Sequence, residues 1–99
     1  MLTHEQIVNA VAKAAIEIPL RKVLYFGSYA DGNATEESDL DVLVEFPKDA
    51  RISLLDIIHF KHNLEDALSI NVDVVEIPLT EKAQKSLIIR KIVPVYEQT

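Results

Sequence analysis

Three aspartates of this sequence stand in or against apolar runs, where packing gives no reason for a charge. Asp39 and Asp41 flank Leu40 at the head of Leu40-Asp41-Val42-Leu43-Val44, and Asp73 follows Val72 in Val72-Asp73-Val74-Val75. Residues two apart in a strand point to the same face, with Cα atoms roughly 7 Å apart. Asp39 and Asp41 are therefore expected to project together from one side of a strand. Two carboxylates at that spacing repel, and an apolar sheet solvates neither well. A divalent cation answers both difficulties. Mg²⁺ suits such a site, because it takes one or two carboxylates and completes its octahedron with water and phosphate oxygens. If the Asp73 strand lies beside that of Asp41, a third carboxylate joins the pair. Three acids can hold two metal ions about 3.5–4 Å apart, an arrangement that serves phosphoryl and nucleotidyl transfer. In that arrangement Asp73 is the group expected to activate the incoming hydroxyl.

Ten residues separate Gly27-Ser28 from Asp39. Glycine permits a tight exit from the preceding strand and close approach of the backbone to a ligand. Ser28 is expected to cap a following helix, whose N–H groups and positive dipole end favour a triphosphate. A plain helix cap is the simpler reading of Ser28, and the two roles are compatible. The ten-residue gap returns the chain to the carboxylates, so phosphates and metals can share one pocket.

The elements that must position these residues are punctuated by few Gly and Pro. Thr3 and Gln6 form an S/T-x-x-E/Q capping box, and Ile7, Val11, Ala14, Ala15 and Ile18 recur at helical spacing until Pro19. Val23 to Phe26, ended by Gly27, has the character of a buried strand. Leu40 to Val44, closed by Pro47, has that of a central one. Ser53 with Asp56 marks the next helix start, with Leu54, Ile57, Ile58, Leu64 and Leu68 as its apolar stripe. Val72 to Ile77 is a third strand, closed by Pro78. Thr80 is expected to cap a last helix with Ala83, Leu87 and Ile88 facing inward. Val93 to Tyr96 is expected at an edge, because Pro94 cannot donate within a central ladder. The sum is an α/β or α+β domain, a small mixed sheet covered by helices, over residues 1–99 as one domain.

Composition narrows the partners. The chain has 99 residues, 48% of them hydrophobic and 26% charged, an ordinary globular balance. Its net charge of −6 opposes the counterion release that tight nucleic-acid binding needs, so stand-alone DNA or RNA binding is not expected. There is no cysteine, which removes disulfides and thiol nucleophiles and fits a reducing cytoplasm. No run approaches the roughly 20 apolar residues of a membrane span, and no signal peptide is evident. A soluble cytoplasmic domain is the expectation.

Gly27-Ser28-x10-Asp39-x-Asp41 with a later strand aspartate resembles the minimal nucleotidyltransferases of the DNA polymerase β superfamily. The resemblance runs through Leu24-Tyr25-Phe26-Gly27-Ser28, Ser38-Asp39-Leu40-Asp41-Val42-Leu43-Val44-Glu45-Phe46 and Val72-Asp73-Val74-Val75 to Val95-Tyr96-Glu97. It implies a polymerase β palm-like fold, two Mg²⁺ ions on Asp39, Asp41 and Asp73, and ATP held at Gly27 and Ser28. It also implies transfer of AMP to a protein acceptor. Members this short are similar to antitoxins encoded beside a HEPN-domain toxin, whose tyrosine they are thought to modify. A 99-residue chain has no room for a domain that holds primer, tRNA or drug, so the acceptor must come from outside.

Where the family often reads Gly-Ser-x-Ala-Arg-Gly, this chain has Gly27-Ser28-Tyr29-Ala30-Asp31-Gly32. An acid in place of a base weakens the attraction for phosphate, and Glu36 and Glu37 add to the effect. The alternative reading follows from this: an antitoxin that has lost the chemistry and neutralises its toxin by binding alone. Of the remaining candidates, Asp31 is expected as a solvated residue in a turn before Gly32. His59 and His62 lack a third ligand of suitable type and are expected at the surface, as is His4. Tyr29 and Tyr96 are expected to pack, and Lys82, Lys85, Arg90 and Lys91 to form a solvated helix face.

Overall fold

The computed structural model describes residues 1–77 and 91–98. Helix α1 spans His4–Glu17 and opens on the expected capping box. The Thr3 N–H donates to Gln6 Oε1 at 2.8 Å, and the Gln6 N–H donates to Thr3 Oγ1 at 3.2 Å. Its last turn ends at Ile18, which is already extended at φ −127° as Pro19 requires of its predecessor. Strand β1 is Lys22–Phe26, and a single turn, α2, covers Ser28–Asp31. Strand β2 is Leu40–Glu45. Helix α3, Leu54–Leu68, starts on the expected Ser53–Asp56 box and ends on Ser69 in the left-handed region at φ 58°. Strands β3, Val72–Ile77, and β4, Val93–Glu97, complete the described elements.

The strands form one mixed sheet in the order β3-β2-β1-β4. β1 runs antiparallel to β2 and β4, whereas β3 is parallel to β2. A parallel pair needs a crossover, and α3 supplies it. β4 lies at an edge, as Pro94 led us to expect, and its register against β1 shifts between Val23 and Leu24. The helix expected after Thr80 and the basic residues Lys82, Lys85 and Arg90 lie outside the described residues. Lys91 is exposed. No helix among the described residues is long and apolar enough to cross a membrane.

Strand alternation divides the sheet into two faces with different work. Val23, Tyr25, Leu40, Val42, Val44 and Val72 turn to the side covered by α1 and α3, where they meet Ile7, Val11, Phe60 and Leu64 in one core. The alternate positions place Phe26, Asp41, Leu43, Asp73 and Val75 on the opposite face. The packed face makes the domain stable, while on the other Leu43 is buried, Asp41 half-buried and Asp73 exposed. Phe60 has no exposed surface, so Phe60→Ala is expected to cost about 3–5 kcal/mol in urea unfolding, and a loss under about 1 kcal/mol would contradict this packing.

Tyr25 ties α1 to the sheet. It is 6% exposed, and its hydroxyl lies 2.9 Å from His4 Nδ1. Burial raises its phenol above the ordinary value of 10.0. The folded chain therefore keeps a proton that the unfolded chain loses near pH 10, so stability must fall as pH climbs from that point. Urea midpoints are expected to drop between pH 9 and pH 11 (on the order of the phenol's titration range). Tyr25→Phe is expected to drop less, and an equal fall in both proteins would remove Tyr25 as the cause.

Candidate active site

The site grows from the place where β1 stops. Its last residue, Phe26, is in register with Asp41 of β2. The next residue, Gly27, turns sharply at φ 74° and ψ −149°, a conformation open to glycine and strained for any other residue. Space imposes the same choice, because a Cβ built on Gly27 would overlap Asp41 Oδ2. The close approach that glycine allows here is thus to the Asp41 carboxylate.

Ser28 does not cap α2, contrary to expectation. Gly27 occupies the cap position with no side-chain hydrogen bond, and Ser28 is the first helical residue. The cause is the Gly27 turn, which starts the helix one residue early. α2 is also only four residues long, too short for aligned peptides to sum to much of a macrodipole. What remains is local: the first N–H groups of a helix have no intrahelical acceptor, and here they belong to Ser28, Tyr29 and Ala30. The turn closes by an Asp31 N–H to Gly27 oxygen bond at 2.9 Å and an Asn33 N–H to Ser28 oxygen bond at 3.0 Å. Asp31 is exposed, as expected, but ends the helix instead of lying in a loop, and Gly32 caps it at φ 80°.

Asp39 precedes β2 by one residue and is exposed, so it enters the site from the turn before the strand instead of from within it. That turn is held by the Ser38 N–H to Thr35 oxygen bond at 3.1 Å and the Thr35 N–H to Ser38 Oγ bond at 2.9 Å. Asp41 is half-buried in the second position of β2. Asp73, exposed in the second position of β3, is its register partner. Adjacent strands lie about 4.8 Å apart, and register partners share a face. The end of β1 and the starts of β2 and β3 therefore bring Gly27, Ser28, Asp39, Asp41 and Asp73 to one end of the sheet.

Among the described residues, no three His, Cys, Asp or Glu side chains lie close enough together to hold a metal ion as they stand. The donor set is nonetheless one that fits Mg²⁺. It offers carboxylates with a neighbouring hydroxyl and no thiol or imidazole. The histidines take no part. His59 Nε2 lies 3.2 Å from Glu17 Oε2, which also accepts a 3.0 Å bond from Asn63 Nδ2, and these side chains join α3 to α1. His62 and His4 are exposed, while Tyr29 and Tyr96 pack against the core.

A mixed sheet with acids at the starts of two parallel strands and a glycine turn beside them defines a nucleotidyltransferase-type palm. The chain belongs to the nucleotidyltransferase domain family, whose model matches residues 5–94. It is 38% identical over 79 residues to the protein adenylyltransferase MntA of Thermococcus cleftensis, a match covering 76% of this chain and 78% of that protein. Its fold is similar to a chain in a crystal structure of a toxin–antitoxin with AMP-PNP, with a TM-score of 0.74 and 21% identity over 93% of this chain and 74% of that one. It is also similar to a chain in the complex of tri-AMPylated Shewanella oneidensis HEPN toxin with MNT antitoxin, with a TM-score of 0.68 and 18% identity over 97% and 74%. At those identities the two structures establish the fold, that of a minimal nucleotidyltransferase.

Gly27→Ala places a methyl group against Asp41 and forces a positive φ on a residue with a Cβ. It is expected to cost about 1–3 kcal/mol of stability. Matching urea midpoints for variant and wild type would rule out this contact.

Proposed function

We propose that this chain transfers AMP from ATP to a protein acceptor, a HEPN-type toxin, and so acts as its antitoxin in the cytoplasm. The observation that carries the reading is the in-register pair Asp41–Asp73, with the Asp41 carboxylate against Gly27 at the turn into Ser28. The identity with a protein adenylyltransferase supports AMP as the group and protein as the acceptor. The toxin–antitoxin complexes among the fold neighbours support the partner.

In transfer, the acceptor oxygen forms a bond to the α-phosphorus of ATP, the bond from that phosphorus to the bridging oxygen breaks, and pyrophosphate leaves. The acceptor hydroxyl gives up its proton, and Asp73, on the outermost of the acid-bearing strands, takes it. Asp39 and Asp41 orient the phosphates, with Asp73 completing the set that would hold two Mg²⁺ ions. Bound Mg²⁺ supplies offset for the negative charge of the phosphates and the three carboxylates. The N–H groups at the start of α2 and the Ser28 hydroxyl donate to phosphate oxygens, and Gly27 lets the backbone come close enough to do so. Most of the rate then comes from position and electrostatics.

The test combines the protein with α-labelled ATP, Mg²⁺ and a HEPN-domain protein that co-purifies with it from its host. Wild type is expected to label that protein, and chelation of Mg²⁺ to abolish labelling. Asp39→Asn with Asp41→Asn is expected to reduce it at least a hundredfold while leaving the circular dichroism spectrum intact. Label that persists in the double variant would overturn the site. No label from wild type, with the toxin still bound and inhibited, would establish neutralisation by binding alone. The exposed acid Asp31 makes that outcome the alternative to exclude.

A further inference from the structure

The two edges of the sheet are built differently. β4 carries Pro94 and a register shift, both of which blunt an edge against further pairing. β3 has neither, and it pairs with β2 without interruption from Leu40–Val72 to Glu45–Ile77. Among the described residues it is the last strand on its side of the sheet.

The ladder fixes which of its polar groups point outward. The Leu40 N–H donates to the Asn71 oxygen at 3.0 Å, and in a parallel ladder this turns Asp73, Val75 and Ile77 toward β2. Val72, Val74 and Glu76 then direct their N–H and C=O groups away from the sheet. Val72 bears this out, since its N–H donates to Glu65 Oε2 of α3 at 3.0 Å. None of the described residues accepts from the N–H groups of Val74 and Glu76. Among the described residues, then, nothing pairs with this run of main-chain donors and acceptors in the strand that carries Asp73.

We propose that an extended segment of the protein acceptor adds as a further strand along the outer edge of β3 and thereby brings its hydroxyl beside Asp73. This rests on the reading that the chain modifies a protein. Main-chain donors and acceptors alternating along a strand are matched by another extended backbone, whereas the net charge of −6 and the exposed Asp73 and Glu76 repel a phosphodiester chain. The residue of the added strand in register with Asp73 lies about 4.8 Å from it on the same face. Asp41, Asp73 and the acceptor side chain then form a row across the sheet, with Asp73 beside the hydroxyl whose proton it takes. Val75 is 36% exposed on that face. A residue two positions along the added strand would cover it, which favours an apolar side chain there.

Val74→Pro tests the proposal, because it removes an outward N–H and leaves every bond to β2 in place. Labelling of the HEPN-domain protein is expected to fall at least tenfold, with AMP-PNP affinity within twofold of wild type. Labelling within twofold of wild type would overturn the proposal. Should Val74→Pro fail to fold by circular dichroism, Glu76→Pro, at an exposed outward position, is read by the same criteria. Amide exchange on wild type gives an independent reading. Val74 and Glu76 are expected to gain at least tenfold protection when the HEPN-domain protein is added, and unchanged exchange refutes strand addition. If wild type labels nothing, adenylyl transfer fails as the activity, and the exchange result still decides whether a partner strand occupies this edge.

Discussion

The contact between the Asp41 carboxylate and the backbone of Gly27 is the constraint on which the rest of the site depends. The residue that follows β1 must have no side chain, since a Cβ there would occupy the space of Asp41 Oδ2. The same residue must turn at a positive φ to leave the sheet. Gly27 meets both demands, and the one-turn helix that follows starts where that turn leaves it. Asp41 is fixed in turn by two ladders, paired with Phe26 on one side and Asp73 on the other. A side chain held by central-strand backbone on both flanks is positioned more firmly than any loop could manage, which is what a reaction that runs on orientation needs.

Charge is kept at the margin of the fold. The buried residues among those described are all apolar, so no ionised group has to be desolvated within the core between sheet and helices. Asp41 reaches only the half-buried zone at the sheet's end, while Asp39 and Asp73 are exposed. The cost of gathering like charges is met where water and counterions can share it. The alternation of strand side chains thereby keeps Asp41 and Asp73 on the face of the sheet opposite the helices.

What the sequence disclosed was the part governed by neighbours along the chain. Thr3 with Gln6 and Ser53 with Asp56 each specify a helix start within four residues, and Pro19 and Pro47 close their segments without reference to anything distant. The strand of Asp73 was readable as a strand, but its place beside Asp41 remained conditional, because pairing between strands almost thirty residues apart is decided by packing. The cap at Gly27-Ser28 went the other way. Ser28 has the better capping side chain, yet the backbone turn at Gly27 decided the matter, and a four-residue helix has too little periodicity to reveal its own length. Asp39 is displaced for a similar reason: the Thr35–Ser38 turn delivers it just ahead of the strand, and alternation alone cannot register that offset. The His4–Tyr25 bond joins residues twenty-one positions apart and leaves no local trace.

The parallel direction of β3 is what brings Asp73 beside Asp41. Asp41 and Asp73 each occupy the second position of a six-residue strand. With parallel strands those positions meet. Had β3 returned as an antiparallel hairpin partner, its second residue would face the far part of β2, roughly 10 Å from Asp41 at 3.3 Å per residue. The parallel course depends on α3, whose fifteen residues carry the chain back along the covered face from the end of β2 to its beginning. The Ser53 cap and the left-handed Ser69 mark the two ends of that return. Glu65, from its last turns, then takes the first outward N–H of β3. One crossover helix thus places Asp73 beside Asp41 and, among the described residues, leaves β3 as the last strand of the sheet with only the first of its outward N–H groups taken up.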